Sequence, residues 1–202
     1  MSITIFSLIV LVLSVIIHEV AHGWVAYSLG DITAKGAGRL TLNPLKHLDP
    51  LGSILIPLFL VLSGSPFVVG WAKPVPINPY NFRDQKWGEL KVSLAGPASN
   101  FLVALIFGLL LRVPQIPASF IDFFAIISIY NLILAIFNLI PIPPLDGSWI
   151  LFSFIPDKYA NFKNFFGQYG IFFLIFLLFF SGLSWVFTLA SYIFELLSGF
   201  SF

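Results

Sequence analysis

Apolar residues in this chain fall in long blocks, separated by shorter stretches rich in glycine, proline and charge. The first block runs over about 3–29, long enough as a helix to cross a bilayer, and Gly30-Asp31 ends it. The polar stretch that follows holds Gly36, Gly38, Asn43, Pro44, Asp49 and Pro50, and its Leu40, Leu42 and Leu45 can support a short extended segment. Residues 53–63 are apolar but too few for a helical span, which predicts a re-entrant or partly inserted element. Residues 64–87 read as loop, with Pro74, Pro76 and Pro79 disfavouring a helix. Further spans are predicted at about 90–111, 121–140 and 170–197. Arg112, Pro114 and Pro117 form a turn after the first of these, and Pro141, Pro143 and Pro144 break the second. The pattern predicts an all-α polytopic membrane protein with about four full transmembrane helices. A short re-entrant or partly inserted segment and possible small extended segments complete it. The first block lacks a basic leader region and a small-residue cleavage site, so it reads as a retained helix rather than a secretory signal. Residues 1–202 are expected to form a single membrane-embedded domain, with no soluble domain at either end.

Composition fits that pattern. The chain is 58% hydrophobic and only 9% charged, against about 25% charged in a soluble domain, so lipid is its main solvent. A net charge of +1, with no basic run, gives no case for a nucleic-acid partner. The absence of cysteine removes disulfides, a thiol nucleophile and thiolate metal ligands together, so a metal must be held by His, Asp or Glu.

The candidate chemistry begins with His18-Glu19-Val20-Ala21-His22 in the first block. Two histidines four apart share one helix face, about 6 Å apart along its axis, and can reach one metal ion. Glu19 can then reach an activated water without ligating the metal. The bland alternative is a polar patch that snorkels to the interface. Three ionisable residues within five positions of a lipid-spanning helix favour the metal, because charge at bilayer depth is costly. Catalytic zinc takes a third protein ligand and keeps an open position. Among the acidic residues only Asp146 lies in an apolar, helix-breaking context, after Asn138-Leu139-Ile140-Pro141-Ile142-Pro143-Pro144-Leu145. On spacing alone it reads equally well as a ligand and as an ordinary Asp-Gly turn.

Topology favours the ligand. His18 lies about 23 Å along the first helix, near its far end. The spans at 90–111 and 121–140 bring Asp146 back to that side, provided 53–63 does not cross. With the N-terminus outside, every Lys and Arg except Arg112 falls inside, as the positive-inside rule asks. That places the active site near the cytoplasmic side of the cell membrane.

These residues together resemble the site-2 protease family of intramembrane zinc metalloproteases. The resemblance rests on HEVAHG at 18–23 and the N-x-x-P-x-P-x-L-D-G pattern at 138–147, with Gly96-Pro97-Ala98-Ser99-Asn100 as a weaker third signature. The segments 38–50 and 70–76 also look like compact prokaryotic members without PDZ or CBS domains. The core motifs lie within 5–155. The resemblance implies one Zn2+ per chain held by His18, His22 and Asp146, with Glu19 activating water. It also implies that Asn138 orients substrate or stabilises the oxyanion, and that the substrate is a transmembrane protein or peptide cut by regulated intramembrane proteolysis. Asn100 and Pro141 are further candidates for substrate contact, although Gly96, Pro97 and Asn100 also suit close helix packing. Asn131 sits on a face similar to that of Asn138. It can line the site or bond between helices. His47 is expected to be a solvated loop side chain. A metal transporter or channel, and an inactive binding relative, are the rival readings. A single ligand cluster without an internal repeat speaks against the first, and the intact Glu19 against the second.

Overall fold

The computed structural model describes residues 3–64, 70 and 72–200. Parts of the expected loop at 64–87, namely 65–69 and 71, lie outside the described residues. Helix α1 (Ile3–Ser28) is the first apolar block, and α2 (Thr33–Gly36) is a single turn beyond it. The expected re-entrant element is a wide π-type turn, Pro50–Leu55, running into α3 (Ile56–Leu62). At about 1.5 Å per residue it is too short to cross about 30 Å of hydrocarbon. Asp49 caps its start, its carboxylate accepting from the Leu51 and Gly52 N–H groups.

The next two spans form as expected, α4 (Gly88–Leu110) and α5 (Ala118–Asn138). Helix α4 is the hub and packs against α1, α5, α6 and α8. It carries Pro97 in its interior, which donates no amide to the carbonyl one turn earlier. Small residues let its backbone approach its neighbours. Ser128 Oγ reaches Ala104 O at 2.9 Å, and a Cβ on Gly108 would lie 3.0 Å from Leu197 Cβ. Ala104, Leu111, Ala125, Ile129, Leu132, Ala190 and Phe194 form the buried core between α4, α5 and α8.

The proline-rich turn after α5 leads into α6 (Asp146–Phe154), whose first residue is Asp146. Gly147 is what lets it start there. A Cβ at that position would meet Leu139 O at 2.2 Å and Ile140 O at 2.5 Å, so only glycine fits against the end of α5.

The expected final span at 170–197 is instead two helices, α7 (Ala160–Ser181) and α8 (Ser184–Ser198). Gly182 separates them, with φ 62° and ψ −169°, a conformation essentially reserved for glycine. Helix α7 begins earlier than expected because its first turns carry Asn161, Lys163 and Asn164, which hide it among polar residues. Among the described residues four helices are long and apolar enough to cross a membrane: Ile3–Ser28, Gly88–Leu110, Ala118–Asn138 and Ala160–Phe180. No strand occurs among the described residues, so the expected extended segments take no ladder form.

Candidate metal centre

One turn of α1 separates His18 from His22, and their Nε2 atoms lie 3.0 Å apart. Asp146 Oδ2, delivered by the start of α6, lies 3.0 Å from His18 Nε2 and 3.3 Å from His22 Nε2. All three residues are mostly withdrawn from the surface. The outer ring nitrogens are engaged elsewhere. His22 Nδ1 lies 2.7 Å from Val92 O, and His18 Nδ1 lies 2.6 Å from Asn100 Oδ1. A carbonyl oxygen only accepts, so each Nδ1 carries a proton, and in the neutral form that a metal ligand needs each ring turns a bare Nε2 lone pair inward. In that form the short contacts among the two Nε2 atoms and the carboxylate are not hydrogen bonds. They are three acceptors facing one another, and Asp146 Oδ2 is buried without a hydrogen-bond partner.

Such a cluster is repulsive unless a cation lies among the three atoms. Tetrahedral ligand bonds of about 2.0 Å set ligand atoms about 3.3 Å apart, close to the separations seen. A Cβ on Gly96 of α4 would lie 2.4 Å from His22 Nε2 and 2.5 Å from His18 Nε2. The missing side chain leaves that space open. Two imidazoles and one carboxylate, with the outer nitrogen of each ring held by an oxygen acceptor, are a donor set that fits catalytic zinc.

The cluster opens onto a cavity of about 320 Å3 lined by Glu19, His22 and Asp146, together with Pro74, Val75, Ser93 and Trp149. Glu19 Oε2 accepts from the Val75 N–H at 2.8 Å. Its other oxygen has no hydrogen-bond partner among the described residues. Val75 belongs to an extended strap, residues 72–78, that crosses this mouth. His47 O accepts the Lys73 N–H at 2.9 Å, and Arg39 donates to Lys73 O at 2.6 Å. At the far end Asp31 Oδ2 accepts the Asn78 N–H at 2.7 Å, while its Oδ1 accepts from Asn81 at 2.8 Å and from Thr33. Burial pushes the Asp31 carboxyl up, but these hydrogen bonds outweigh it and hold it below its ordinary value.

The structure thus brings His18, Glu19, His22 and Asp146 together. Asn138 does not line that cavity, and its amide donates to Leu134 O of its own helix at 2.9 Å. Asn100, expected at the substrate, is fully buried with both amide ends engaged, and it faces His18 instead. Pro141 lines a separate apolar groove of about 580 Å3 with Pro97, Phe101 and Trp185. His47 is not solvated. It is 2% exposed, with Nε2 on Thr41 O at 2.8 Å, because the strap packs over it. Sequence reasoning missed Val75 and Val92, whose contributions are backbone atoms without a side-chain signature. It also missed Asp31, an acidic residue whose full burial the flanking Gly30 and Ile32 do not announce.

A chain of Bacillus subtilis named "Putative zinc metalloprotease YwhC" is 44% identical over 160 residues, covering 75% of this chain and 69% of that one. Residues 114–178 match the model of peptidase family M50. The chain belongs to peptidase family M50, the site-2 protease family. Two further relatives are also similar. "Putative zinc metalloprotease Rip2" of Mycolicibacterium smegmatis is 34% identical, over 67% of this chain and 51% of its own length. Zinc metalloprotease MJ0392 of Methanocaldococcus jannaschii is 26% identical, over 77% of this chain and 36% of its own. The chain therefore spans about two thirds, half and one third of these M50 relatives. No solved structure matches it.

Proposed function

We propose that this M50 chain hydrolyses peptide bonds in or near the transmembrane segments of other membrane proteins, as a step of regulated intramembrane proteolysis. His18, His22 and Asp146 hold the zinc, and Glu19 is the general base. One observation carries the reading: three bare lone-pair atoms, 3.0–3.3 Å apart, converge beside a carboxylate that lines the same cavity.

The chemistry that Zn2+ supplies when bound is Lewis acidity toward the scissile carbonyl and toward water. The chain's own residues do the rest. Val75 N–H holds one Glu19 oxygen, and the free oxygen takes the proton of the attacking water and passes it to the leaving amine. The histidines are fixed by Asn100 and Val92, so their reacting nitrogens need no reorientation. A substrate helix must unwind locally before attack, since its backbone is otherwise internally satisfied. Asn138 can serve the substrate through its second N–H or its Oδ1 while the first N–H stays on Leu134 O. The site opens toward the cytoplasmic side, where the chain's basic residues cluster.

The test is to quantify zinc in the purified protein and to assay cleavage of a model transmembrane substrate with wild type and Glu19→Gln. Zinc retained with cleavage lost is the expected result. A Glu19→Gln protein that still cleaves at the wild-type rate overturns the mechanism.

A further inference from the structure

Behind His18 lies a buried polar chain that joins three helices. Asn131 of α5 donates through Nδ2 to Ser14 Oγ of α1 and to Ile127 O, both at 2.8 Å. Asn131 Oδ1 accepts from Asn100 Nδ2 of α4 at 2.8 Å, and the same Nδ2 lies 3.2 Å from Ser14 O. Asn100 Oδ1 then faces His18 Nδ1 at 2.6 Å. Asn100 and Asn131 are fully buried and Ser14 nearly so.

The chain has a direction, and two main-chain carbonyls set it. Ile127 O and Ser14 O can only accept, so they must face the NH2 ends of Asn131 and Asn100. Each amide then presents its oxygen to the next member, and the last oxygen meets the His18 Nδ1–H. Turning either amide over would set carbonyl against carbonyl. At Asn100 it would also set an NH2 against His18 Nδ1, which forces the proton onto Nε2 and removes the lone pair from the cluster.

We infer that Asn131, through Asn100, is a positioning residue that fixes the His18 tautomer and so keeps Nε2 available to the metal. This rests on the zinc reading above. Neither asparagine touches the cavity, so neither is catalytic. The role needs no charge, which suits a site within lipid, where a carboxylate partner costs more.

The test measures zinc affinity of the full chain in detergent, by competition with a chromophoric chelator, for wild type, Asn131→Leu and Asn131→Leu combined with Asn100→Asp. Loss of a second-shell partner typically weakens metal binding by about ten- to a hundredfold, and that loss is expected for Asn131→Leu. The double variant is expected to recover part of it, because a carboxylate accepts from Nδ1 with either oxygen, at the cost of setting its other oxygen against Ser14 O. A pure packing role predicts lower thermal stability, unchanged zinc affinity and no such recovery, and that result overturns the inference. Asn131→Ala serves if the leucine variant fails to accumulate. The Co2+ absorption spectrum is a second readout, and unchanged ligand-field bands in the single variant would count against the inference. Wild-type protein that binds no zinc refutes the underlying metal reading instead.

Discussion

A methyl group at position 96 would sit within 2.5 Å of both histidine Nε2 atoms, in the space where the donors converge. Gly96→Ala removes no ligand. It is nonetheless expected to weaken zinc binding by about ten- to a hundredfold, the overpacking cost of about 1–3 kcal/mol, as read from zinc content after chelator dialysis. Asp31 supports a different expectation. Its carboxyl is held below the ordinary 3.8, so its hydrogen bonds stabilise fully above that pH. Their contribution is lost as pH falls through the lower folded value. Asp31→Asn should cost about 2 kcal/mol near neutrality and flatten the acid limb of a melting-temperature profile below pH 3.8. His18, His22 and Asp146 were legible in the sequence because ionisable groups stand out in apolar surroundings. Asn100 was only half legible, since an asparagine in a span serves packing, substrate and metal partner alike until its neighbour is known.

Among elements, the strap 72–78 does the least regular and most specific work, setting one backbone N–H on Glu19. Val75→Pro deletes that donor between two existing prolines. Zinc content should be unchanged, and hydrolysis should fall on the order of tenfold, part of what a well-placed general base contributes. Cleavage at the wild-type rate would show that Glu19 needs no such support. The strap itself could be read from Pro74, Pro76 and Pro79 as non-helical, but its path across the site depends on partners at Arg39, His47 and Asp31 that are distant in sequence. The first three spans were legible as unbroken apolar runs. The last was not, because a single backbone angle at Gly182 divides an apolar run that hydropathy sees as continuous.

For the whole molecule, the crossing count that joins His18 to Asp146 also fixes which loops share a side. The chain has no cysteine, so single substitutions give clean labels. Lys35→Cys and Lys158→Cys should react with an impermeant thiol reagent from the cytoplasmic side, and Gln115→Cys from the opposite side. Labelling of positions 35 and 158 from opposite sides would break the topology that unites the site.

The ligands lie on the first helix and on one that follows two later spans, and that ordering has a consequence during biosynthesis. At about 5–20 residues per second, the ribosome delivers Asp146 roughly ten seconds after His22. Throughout that interval the nascent chain carries half a metal site and no means of completing it. A ribosome-stalled chain ending before α6 should retain no zinc against a chelator, whereas the released chain should. On the proposed ligand set, a hydrolase embedded among other newly inserted helices stays inert until its last ligand has arrived and folded back.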